Sequence, residues 1–308
     1  MRDYLEPNVL SQLMALPLHA RQPVIGNISG LHRSPIRGSS LEFAEYRKYV
    51  PGDDLRRLDW RAWGRSDRHY VKEFEADTNL RMVLLLDVSG SMNYPQDEPQ
   101  GLSRIEYTRR LAGSLAYLAA HQGDAVGLWT SRQTGHAGKT KQQQSTLPAR
   151  RGASHLGAVL DAIGSIEAAG ETSLAESLHE AAEQIPQRAL IVIFSDLFTD
   201  APELRSAFQH LRFRKHDVAV FHLLDERELD FDFERPARFV DLEGAEPLMV
   251  DPEEIRSSYQ AAISEWINEI NTIVHATGID YTRVKLQEHY PDVLARFLLS
   301  RSPKKHAR

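Results

Sequence analysis

Apolar residues follow two different patterns from about residue 80 onward. Four largely apolar runs have the length of a strand, at residues 82–86, 125–130, 189–194 and 218–224. Between and after them, apolar residues recur at helical spacing over residues 104–121, 156–166, 174–185 and 202–214. Strands without a polar face that alternate with helices are typical of a mostly parallel sheet covered on both sides. We therefore predict a Rossmann-like, doubly wound α/β domain.

The two ends of the chain extend this pattern differently. Toward the C-terminus, we expect a long helix, a strand and a last helix, at residues 252–277, 280–285 and 291–299. The first 78 residues predict a short helix at 5–16, and frequent Gly and Pro after it predict loops and short strands. The predicted organisation is an N-terminal segment, the α/β domain and a basic tail, at residues 1–78, 79–300 and 301–308.

Polar side chains follow directly after two of the predicted strands. The first strand leads into Asp87, with Ser89 and Ser91 at the next alternate positions, and the third leads into Asp196. Thr172, or the serine after it, starts an intervening helix, where its hydroxyl caps the helix, binds a ligand, or does both. The carboxyl ends of parallel strands share one edge of a sheet, so we expect these oxygens to converge. Carboxylates and hydroxyls favour a hard cation, Mg²⁺ or alternatively Mn²⁺.

Composition excludes several classes of protein. The 308-residue chain has no cysteine, which excludes disulfides, thiol nucleophiles and iron–sulfur clusters. No apolar run approaches the ~20 residues that cross a bilayer, so we predict no membrane span. The N-terminus has no apolar core of the kind that a signal peptide needs, and we expect a cytoplasmic protein.

The distribution of charge disfavours nucleic acid as a partner. The net charge is -6, and residues 156–308 carry 16 Lys and Arg against 27 Asp and Glu, so this region repels a polyanion. Two segments leave an alternative open: residues 47–72 mix bases with aromatic residues, and residues 132–151 hold five bases and no acid. Acids within the first of these segments favour a small packed subdomain there instead.

The polar residues at the strand ends resemble the metal-ion-dependent adhesion site of von Willebrand factor type A domains. Asp87, Ser89, Ser91, Thr172 and Asp196 match that motif in chain order and in strand or loop context. The resemblance implies that the first three form a ligand loop, and that Thr172 binds the ion directly when a partner is engaged. Asp196 would bind directly or through water. An open coordination position would take a carboxylate from a protein partner.

The N-terminal segment carries a second resemblance. Residues 38–43, GSSLEF, and 47–61, RKYVPGDDLRRLDWR, are similar to the signature of the DUF58 family. This resemblance implies a magnesium-binding interaction module that works with a MoxR-type AAA+ ATPase, and it identifies no substrate. Many members carry two N-terminal membrane helices, whereas this sequence resembles the short, soluble form.

The catalytic motifs that the sequence approaches are all incomplete. Residues 135–140, GHAGKT, resemble the end of a phosphate-binding loop, but Gln133 replaces its first glycine and no apolar helix pattern follows. A phosphatase built on Asp87 would need a second acid two residues later, where Ser89 stands. We therefore predict that the chain is not an enzyme.

The sequence thus predicts a non-catalytic, divalent-metal-dependent protein-binding module. The expected partners are a MoxR-type AAA+ ATPase and a target protein that offers an acidic residue to the metal, in assembly or maturation of a target complex. One alternative is an interaction scaffold whose metal site is structural, empty or occupied by its own chain. The other is a nucleic-acid-associated factor that uses residues 47–72 and 132–151. Binding that survives EDTA would favour the scaffold, and binding that falls steeply with salt would favour nucleic acid.

Overall fold

The computed structural model describes residues 3–19, 33–34, 42–48, 70–77, 80–95, 101–131, 146–186, 188–233, 237–240, 242–243 and 247–302. At residues 33–34, 42–48, 70–77 and 237, the description covers the backbone alone. The chain divides into a smaller unit, residues 19–80, and a larger unit, residues 1–18 with 81–308.

The smaller unit contains a three-stranded antiparallel sheet. Its strands are β1 (Arg33–Ser34), β2 (Glu42–Lys48) and β3 (Tyr70–Asp77), in the order β1–β3–β2. The pairing of β2 with β3 shifts register between Phe43 and Glu45, as at a β-bulge. The short strands that the sequence predicts for this region are therefore present.

Strands and helices alternate through the larger unit. Its strands are β4 (Arg81–Leu86), β5 (Ala125–Thr130), β6 (Thr146–Arg150), β7 (Leu190–Ser195), β8 (Asp217–Leu224), β9 (Ala237–Phe239), β10 (Leu248–Val250) and β11 (Asp280–Lys285). Its helices are α1 (Pro7–Leu13), α2 (Arg104–His121), α3 (Ala153–Ser165), α4 (Leu174–Gln184), α5 (Ala201–Phe213), α6 (Glu226–Asp230), α7 (Pro252–Thr277) and α8 (Tyr290–Arg301).

Six of these strands form one sheet, in the order β11–β8–β7–β4–β5–β6. Five are parallel, whereas β6, at one edge, runs antiparallel to β5. Leu84 of β4 lies opposite Leu128 of β5 and Val192 of β7, and all three are fully buried. The prediction of a doubly wound, mostly parallel sheet is confirmed.

The strand order reverses beside β4, and this reversal locates the crevice of the fold. From β4 the chain moves to β5 and β6 on one side, and it later returns to β7, β8 and β11 on the other. The carboxyl ends of β4 and β7 therefore border the crevice where doubly wound sheets bind ligands. Asp87 follows β4 and Asp196 follows β7, so the topology brings both acids to this crevice.

Helices cover both faces of the sheet. On one face, Val83 and Leu85 of β4 pack in a buried cluster with Leu178 of α4, Phe208 of α5 and Ile270 of α7. The alternate residues of β4 are also buried. On that face α2 packs on β4 and β5, α3 packs on β5, and α1 and α8 pack against α2. Burial of each large apolar side chain contributes ~1.5–3 kcal/mol, so the sheet is a rigid support for the loops at its ends.

Side-chain caps define where several helices begin. At the start of α2, the Ser103 hydroxyl accepts from the backbone N–H of Glu106, whose carboxylate in turn accepts from the N–H of Ser103. Ser173, Asp200 and Asp251 cap α4, α5 and α7 without the reciprocal bond, since each side chain only accepts from a backbone N–H of the first turn. Each such cap is worth ~1 kcal/mol. The helices therefore begin at these polar residues rather than at the first apolar one.

Both ends of the chain differ from the organisation that the sequence predicts. Residues 1–18 belong to the larger unit, because α1 packs on α2 and α8 and buries Val9, Leu10 and Leu13. Arg301 is the last residue of α8 and is buried, so the basic tail begins after it rather than at it. Residues 303–308 lie outside the described residues.

The region between β8 and α7 holds elements that the sequence pattern does not predict. Helix α6 is short, and β9 pairs with β10 as a two-stranded antiparallel ribbon. These elements have three to five residues, which is too short for a hydrophobic period to show.

Some predictions fall where the structure says little. Residues 49–69 and 132–145, including the loop-like segment 135–140, lie outside the described residues, as do the side chains of residues 47–48 and 70–72. No helix in the described ranges is long and apolar enough to cross a membrane.

Candidate metal centre

Asp87 is the centre of the polar cluster at the carboxyl ends of β4, β5 and β7. Its side chain is 3% exposed. Oδ1 accepts hydrogen bonds from the backbone N–H of Ser89 at 3.1 Å, and from the hydroxyls of Ser131 and Thr172 at 3.2 Å each. Oδ2 accepts from the Ser195 hydroxyl at 2.7 Å. Four donors from four segments hold this carboxylate in one orientation, as a buried metal ligand requires.

The loop after Asp87 brings its two serines together. Residues Gly90–Asn93 form one 3₁₀ turn, and the hydroxyl oxygens of Ser89 and Ser91 lie 2.9 Å apart. The N–H of Gly90 donates to the carbonyl of Gly170 at 2.8 Å, so the loop is tied to the segment that leads into Thr172. The alternate spacing that the sequence shows therefore does place two hydroxyls side by side.

Thr172 and Ser173 have separate roles, which the sequence alone leaves open. Ser173 caps α4, because its hydroxyl accepts from the N–H of Glu176 at 3.3 Å. The Thr172 hydroxyl instead donates to Asp87. The Thr172 hydroxyl is thus directed into the cluster, and α4 is capped without it.

Asp196 is the second carboxylate, and its hydrogen bonding is incomplete. It is 2% exposed, and Oδ1 accepts from the N–H of Phe198 at 3.3 Å. Within the described residues, Oδ2 accepts no hydrogen bond, and Nη1 of Arg104 lies 3.6 Å from it. Burial raises the pKa of Asp196 above its ordinary value, the cation of Arg104 lowers it, and the charge of Asp87 raises it again. A buried carboxylate oxygen without a donor is the kind of group that a bound cation satisfies.

Arg104 offsets part of the negative charge of Asp196, but its hydrogen bonds go to other groups. Its guanidinium is buried and donates to the carbonyls of Leu223 at 3.2 Å and Ser91 at 2.9 Å. It also pairs directly with Glu228. Burial lowers the pKa of Arg104, but the charges of Asp196 and Glu228 outweigh burial, and the pKa lies above its ordinary value. Arg104 therefore stays charged without completing the hydrogen bonding of Asp196.

The residues present fit a small hard cation. Among the described residues there is no group of three or more histidine and acid side chains placed to hold a metal. Two carboxylates with several hydroxyls, Asp87 and Asp196 with Ser89, Ser91 and Thr172, are instead the oxygen donors that Mg²⁺ accepts alongside waters. The structure thus brings all five residues of the sequence motif to one crevice.

The cluster also contains residues that the sequence analysis did not select. Ser131 and Ser195 are polar residues at the ends of β5 and β7, so the rule that selected Asp87 would also have selected them. Arg104 carries a weaker signal. A cation in the first turn of a helix opposes the helix dipole, which indicates that a tertiary partner holds it there.

Sequence relatives of the chain cover nearly its whole length. The family model described as "Protein of unknown function DUF58" matches residues 45–267. The uncharacterized protein Rv1480 of Mycobacterium tuberculosis is 22% identical over 306 residues, which cover 97% of this chain and 92% of that protein. The uncharacterized protein Mb1516 of Mycobacterium bovis matches to the same extent.

Solved structures with some likeness to the chain include BatB from Bacteroides thetaiotaomicron, with a TM-score of 0.44 and 17% identity over 72% of this chain and 98% of that one. An aerotolerance-related membrane protein from Bacteroides fragilis gives a TM-score of 0.43 and 16% identity over 71% and 96%. The SpRpn10 VWA domain gives a TM-score of 0.39 and 11% identity over 73% and 96%.

The family model spans most of the chain, from the basic N-terminal signature through both aspartates of the cluster and into α7. The family that the signature at residues 38–61 indicated is therefore confirmed. The chain belongs to the DUF58 family.

Proposed function

We propose that the chain is a non-catalytic protein-binding module that requires a divalent cation, Mg²⁺ or Mn²⁺. Asp87 and Asp196 supply the negative charge, and the hydroxyls of Ser89, Ser91 and Thr172 complete the protein ligands. The single observation that carries this proposal is Oδ2 of Asp196, which is buried without a hydrogen bond among the described residues. When bound, the cation would supply positive charge that attracts an acidic side chain of a partner.

The protein's own groups prepare this site before any partner arrives. The four donors on Asp87 keep its carboxylate from rotating, and Arg104 offsets part of the charge of Asp196. Two carboxylates nearly balance a divalent cation, and this leaves the ion able to attract one more acid from outside.

An apolar surface beside the site supports a protein as the partner. Phe198, two residues after Asp196, is 50% exposed and stacks on Trp266 with ring centroids 4.6 Å apart. Exposed aromatic groups are enriched where proteins bind one another. We propose that a partner covers Phe198 while its acidic residue reaches the cation, and that a MoxR-type AAA+ ATPase is one such partner.

The test is a binding assay with and without the ion. The full chain would be immobilised and incubated with a purified MoxR-type ATPase from the same organism, in Mg²⁺ or in EDTA. We expect capture in Mg²⁺ alone, loss of capture in Asp87→Ala, and full capture in Glu269→Gln, a change of an exposed acid on α7. Equal capture in EDTA would support the alternative of a metal-independent scaffold.

We propose that the chain by itself catalyses no reaction. Steady hydrolysis of ATP or of phosphate esters by the pure chain would contradict it. Loss of that hydrolysis in Lys139→Ala would indicate a nucleotide site at residues 135–140.

A further inference from the structure

Arg104 places a positive charge beside the carboxylate oxygen that a cation would use. Its Nη1 lies 3.6 Å from Oδ2 of Asp196, the buried oxygen that accepts no hydrogen bond among the described residues. The same nitrogen donates to the carbonyl of Ser91 at 2.9 Å, in the turn that carries the predicted serine ligands. One guanidinium therefore borders two segments of the candidate metal centre.

The other contacts of Arg104 hold the guanidinium in this place. Nε donates to the carbonyl of Leu223 at 3.2 Å, and Nη2 pairs directly with Glu228. The central carbon lies 5.3 Å from the ring centroid of Tyr94 and 6.0 Å from that of Phe198. A buried side chain with a partner on each of three nitrogens does not readily change rotamer. Its charge therefore stays beside Asp196 when an ion binds there.

The acid that pairs with Arg104 offsets its charge only in part. The side chain of Arg104 is 1% exposed, whereas that of Glu228 is 18% exposed, so solvent screens the acid more than the cation. Glu228 also pairs with Nη2, and Nη1 is the nitrogen that approaches Asp196. A cation at Asp196 would thus be repelled by a buried positive charge, which also takes up part of the attraction that this carboxylate offers.

We propose that Arg104 lowers the affinity of the site for a divalent cation and makes that affinity depend on an outside acid. This inference rests on the proposed function, because it assumes a cation held by Asp87 and Asp196. With Arg104 beside them, the two carboxylates no longer balance a divalent ion, and the complex keeps an excess of positive charge. A carboxylate of a partner removes this excess. The ion and the acidic partner therefore strengthen each other's binding by the same factor.

The experiment measures the binding of Mn²⁺, because free Mn²⁺ can be quantified by electron paramagnetic resonance. The EDTA-treated full chain would be titrated in acetate and in chloride at equal ionic strength, with acetate as the probe for a partner's carboxylate. The variants are Arg104→Gln, Arg104→Lys and the double variant Arg104→Gln with Glu228→Gln. Arg205→Gln is the matched control, because it removes a positive charge from an exposed position of α5.

Urea unfolding in EDTA reports whether each variant folds. Arg104→Gln leaves Glu228 without its cation, which destabilises a partly buried acid. The double variant removes both charges of this pair, so it serves as the neutral variant if Arg104→Gln does not fold. It also shows whether an effect of Arg104→Gln comes only from the freed charge of Glu228.

Both neutral variants should bind Mn²⁺ about tenfold or more tightly than the wild type in chloride, because a nearby repulsive charge is gone. Acetate should strengthen Mn²⁺ binding to the wild type by a larger factor than to these variants, since their complex has less excess charge. Arg104→Lys keeps the charge and should bind no more tightly than the wild type, and Arg205→Gln should match it. A purely structural role of Arg104 predicts weaker binding in every Arg104 variant, because the turn at Ser91 loses its support.

Two different failures can be told apart. If the wild type binds Mn²⁺ while the folded neutral variants bind it no more tightly, the role of Arg104 is overturned and the proposed function stands. Tighter binding in Arg104→Gln without tighter binding in the double variant also overturns it, because the freed charge of Glu228 is then the cause. If neither the wild type nor the neutral variants bind Mn²⁺ in acetate or in chloride, the proposed function and this inference both fail.

Discussion

Each end of the parallel sheet places two aspartates beside one buried arginine, and the two arginines pair with their aspartates differently. At the strand starts, Asp217 begins β8, Asp280 begins β11, and Arg301 of α8 lies between them. We call these three residues the amino-end cluster. At the strand ends, Asp87, Asp196 and Arg104 form the carboxyl-end cluster.

Arg301 is shared between both of its acids. Nη1 donates to Oδ2 of Asp280 at 2.7 Å, and Nη2 donates to Oδ2 of Asp217. Arg104, by contrast, lies 3.6 Å from Asp196 and directs its hydrogen bonds to Glu228 and to backbone carbonyls.

The contrast separates a structural group of charges from a functional one. An arginine that donates directly to both of its aspartates stabilises the fold as an ion-pair cluster, and removing it leaves their negative charges uncompensated. The carboxyl-end cluster keeps one carboxylate oxygen without a hydrogen bond among the described residues, at the crevice where such folds bind ligands. We therefore expect the amino-end cluster to control stability and the carboxyl-end cluster to respond to cations.

The largest effect should come from breaking the amino-end cluster. Arg301→Met removes the cation that pairs with the buried Asp217 and the partly buried Asp280, and the free energy of unfolding should fall by ~3–5 kcal/mol. Urea denaturation in EDTA and in Mg²⁺ measures it, and the loss should be the same in both. A loss that Mg²⁺ restores would mean that this end binds cations too, and the comparison would fail.

His216, which precedes Asp217, should make the free energy of unfolding depend on pH by a similar amount. Burial, aided by the charges of Arg214, Arg188 and His210, lowers the pKa of His216 from 6.5 to about 4. The unfolded chain therefore takes up this proton first as the pH falls. The contribution of neutral His216 to the free energy of unfolding is fully present above pH 6.5. It is lost as the pH falls toward 4, by at most ~3 kcal/mol.

The measurement is urea unfolding of the wild type and His216→Asn at pH 7.5 and pH 5. Asp196, whose pKa is raised, changes stability in the opposite sense, so the difference between the two proteins isolates His216. The wild type should lose more stability than the variant at pH 5. Equal losses would show that His216 is not held neutral by the fold.

Magnesium should stabilise the chain through the carboxyl-end cluster alone. At a Mg²⁺ concentration of about one hundred times Kd, the free energy of unfolding should rise by ~2.7 kcal/mol. Asp196→Asn should abolish this rise, whereas Asp280→Asn should lower the starting stability and keep the rise. Differential scanning calorimetry with and without Mg²⁺ is suited to this test, and a rise that persists in Asp196→Asn would contradict it.

The smallest effects should separate two neighbouring hydroxyls. Ser173→Ala removes the cap of α4 and should cost ~1 kcal/mol of unfolding free energy, with partner capture intact. Thr172→Ala should leave the helix cap and much of the Mg²⁺ affinity in place, because the carboxylates supply most of the attraction, yet weaken capture of an acidic partner. If Thr172→Ala captures partners as well as wild type, its hydroxyl is only a hydrogen-bond donor to Asp87.

The fold of the larger unit was predictable because its strands are buried on both faces. Runs such as residues 189–194 have no polar position, so they identify both the strand and its parallel sheet. The polar residues that follow such runs then mark the crevice, which is how Asp87 and Asp196 were found. This reasoning needs only local pattern and a general rule of topology.

The remaining part of the site depends on contacts between distant segments. Leu242, whose backbone carbonyl packs against Gly90, lies more than 150 residues from it in the sequence, in a region whose short elements leave no periodic signal. In the sequence, Arg104 is an ordinary arginine in a polar helix turn. Only its contacts with Asp196 and Glu228 in the fold mark it as part of the site. Such residues become visible only when the strands have brought their loops together.

The central claim is that the carboxyl-end cluster binds a divalent cation, and calorimetric titration of Mg²⁺ into the EDTA-treated chain tests it most directly. We predict one site per chain in the wild type, loss of that site in Asp87→Asn, and no comparable loss in Asp280→Asn. Magnesium binding that is absent from the wild type, or unchanged in Asp87→Asn, would contradict the account. Zinc binding far tighter than magnesium at this same site would also contradict it, because carboxylates and hydroxyls should prefer the harder ion.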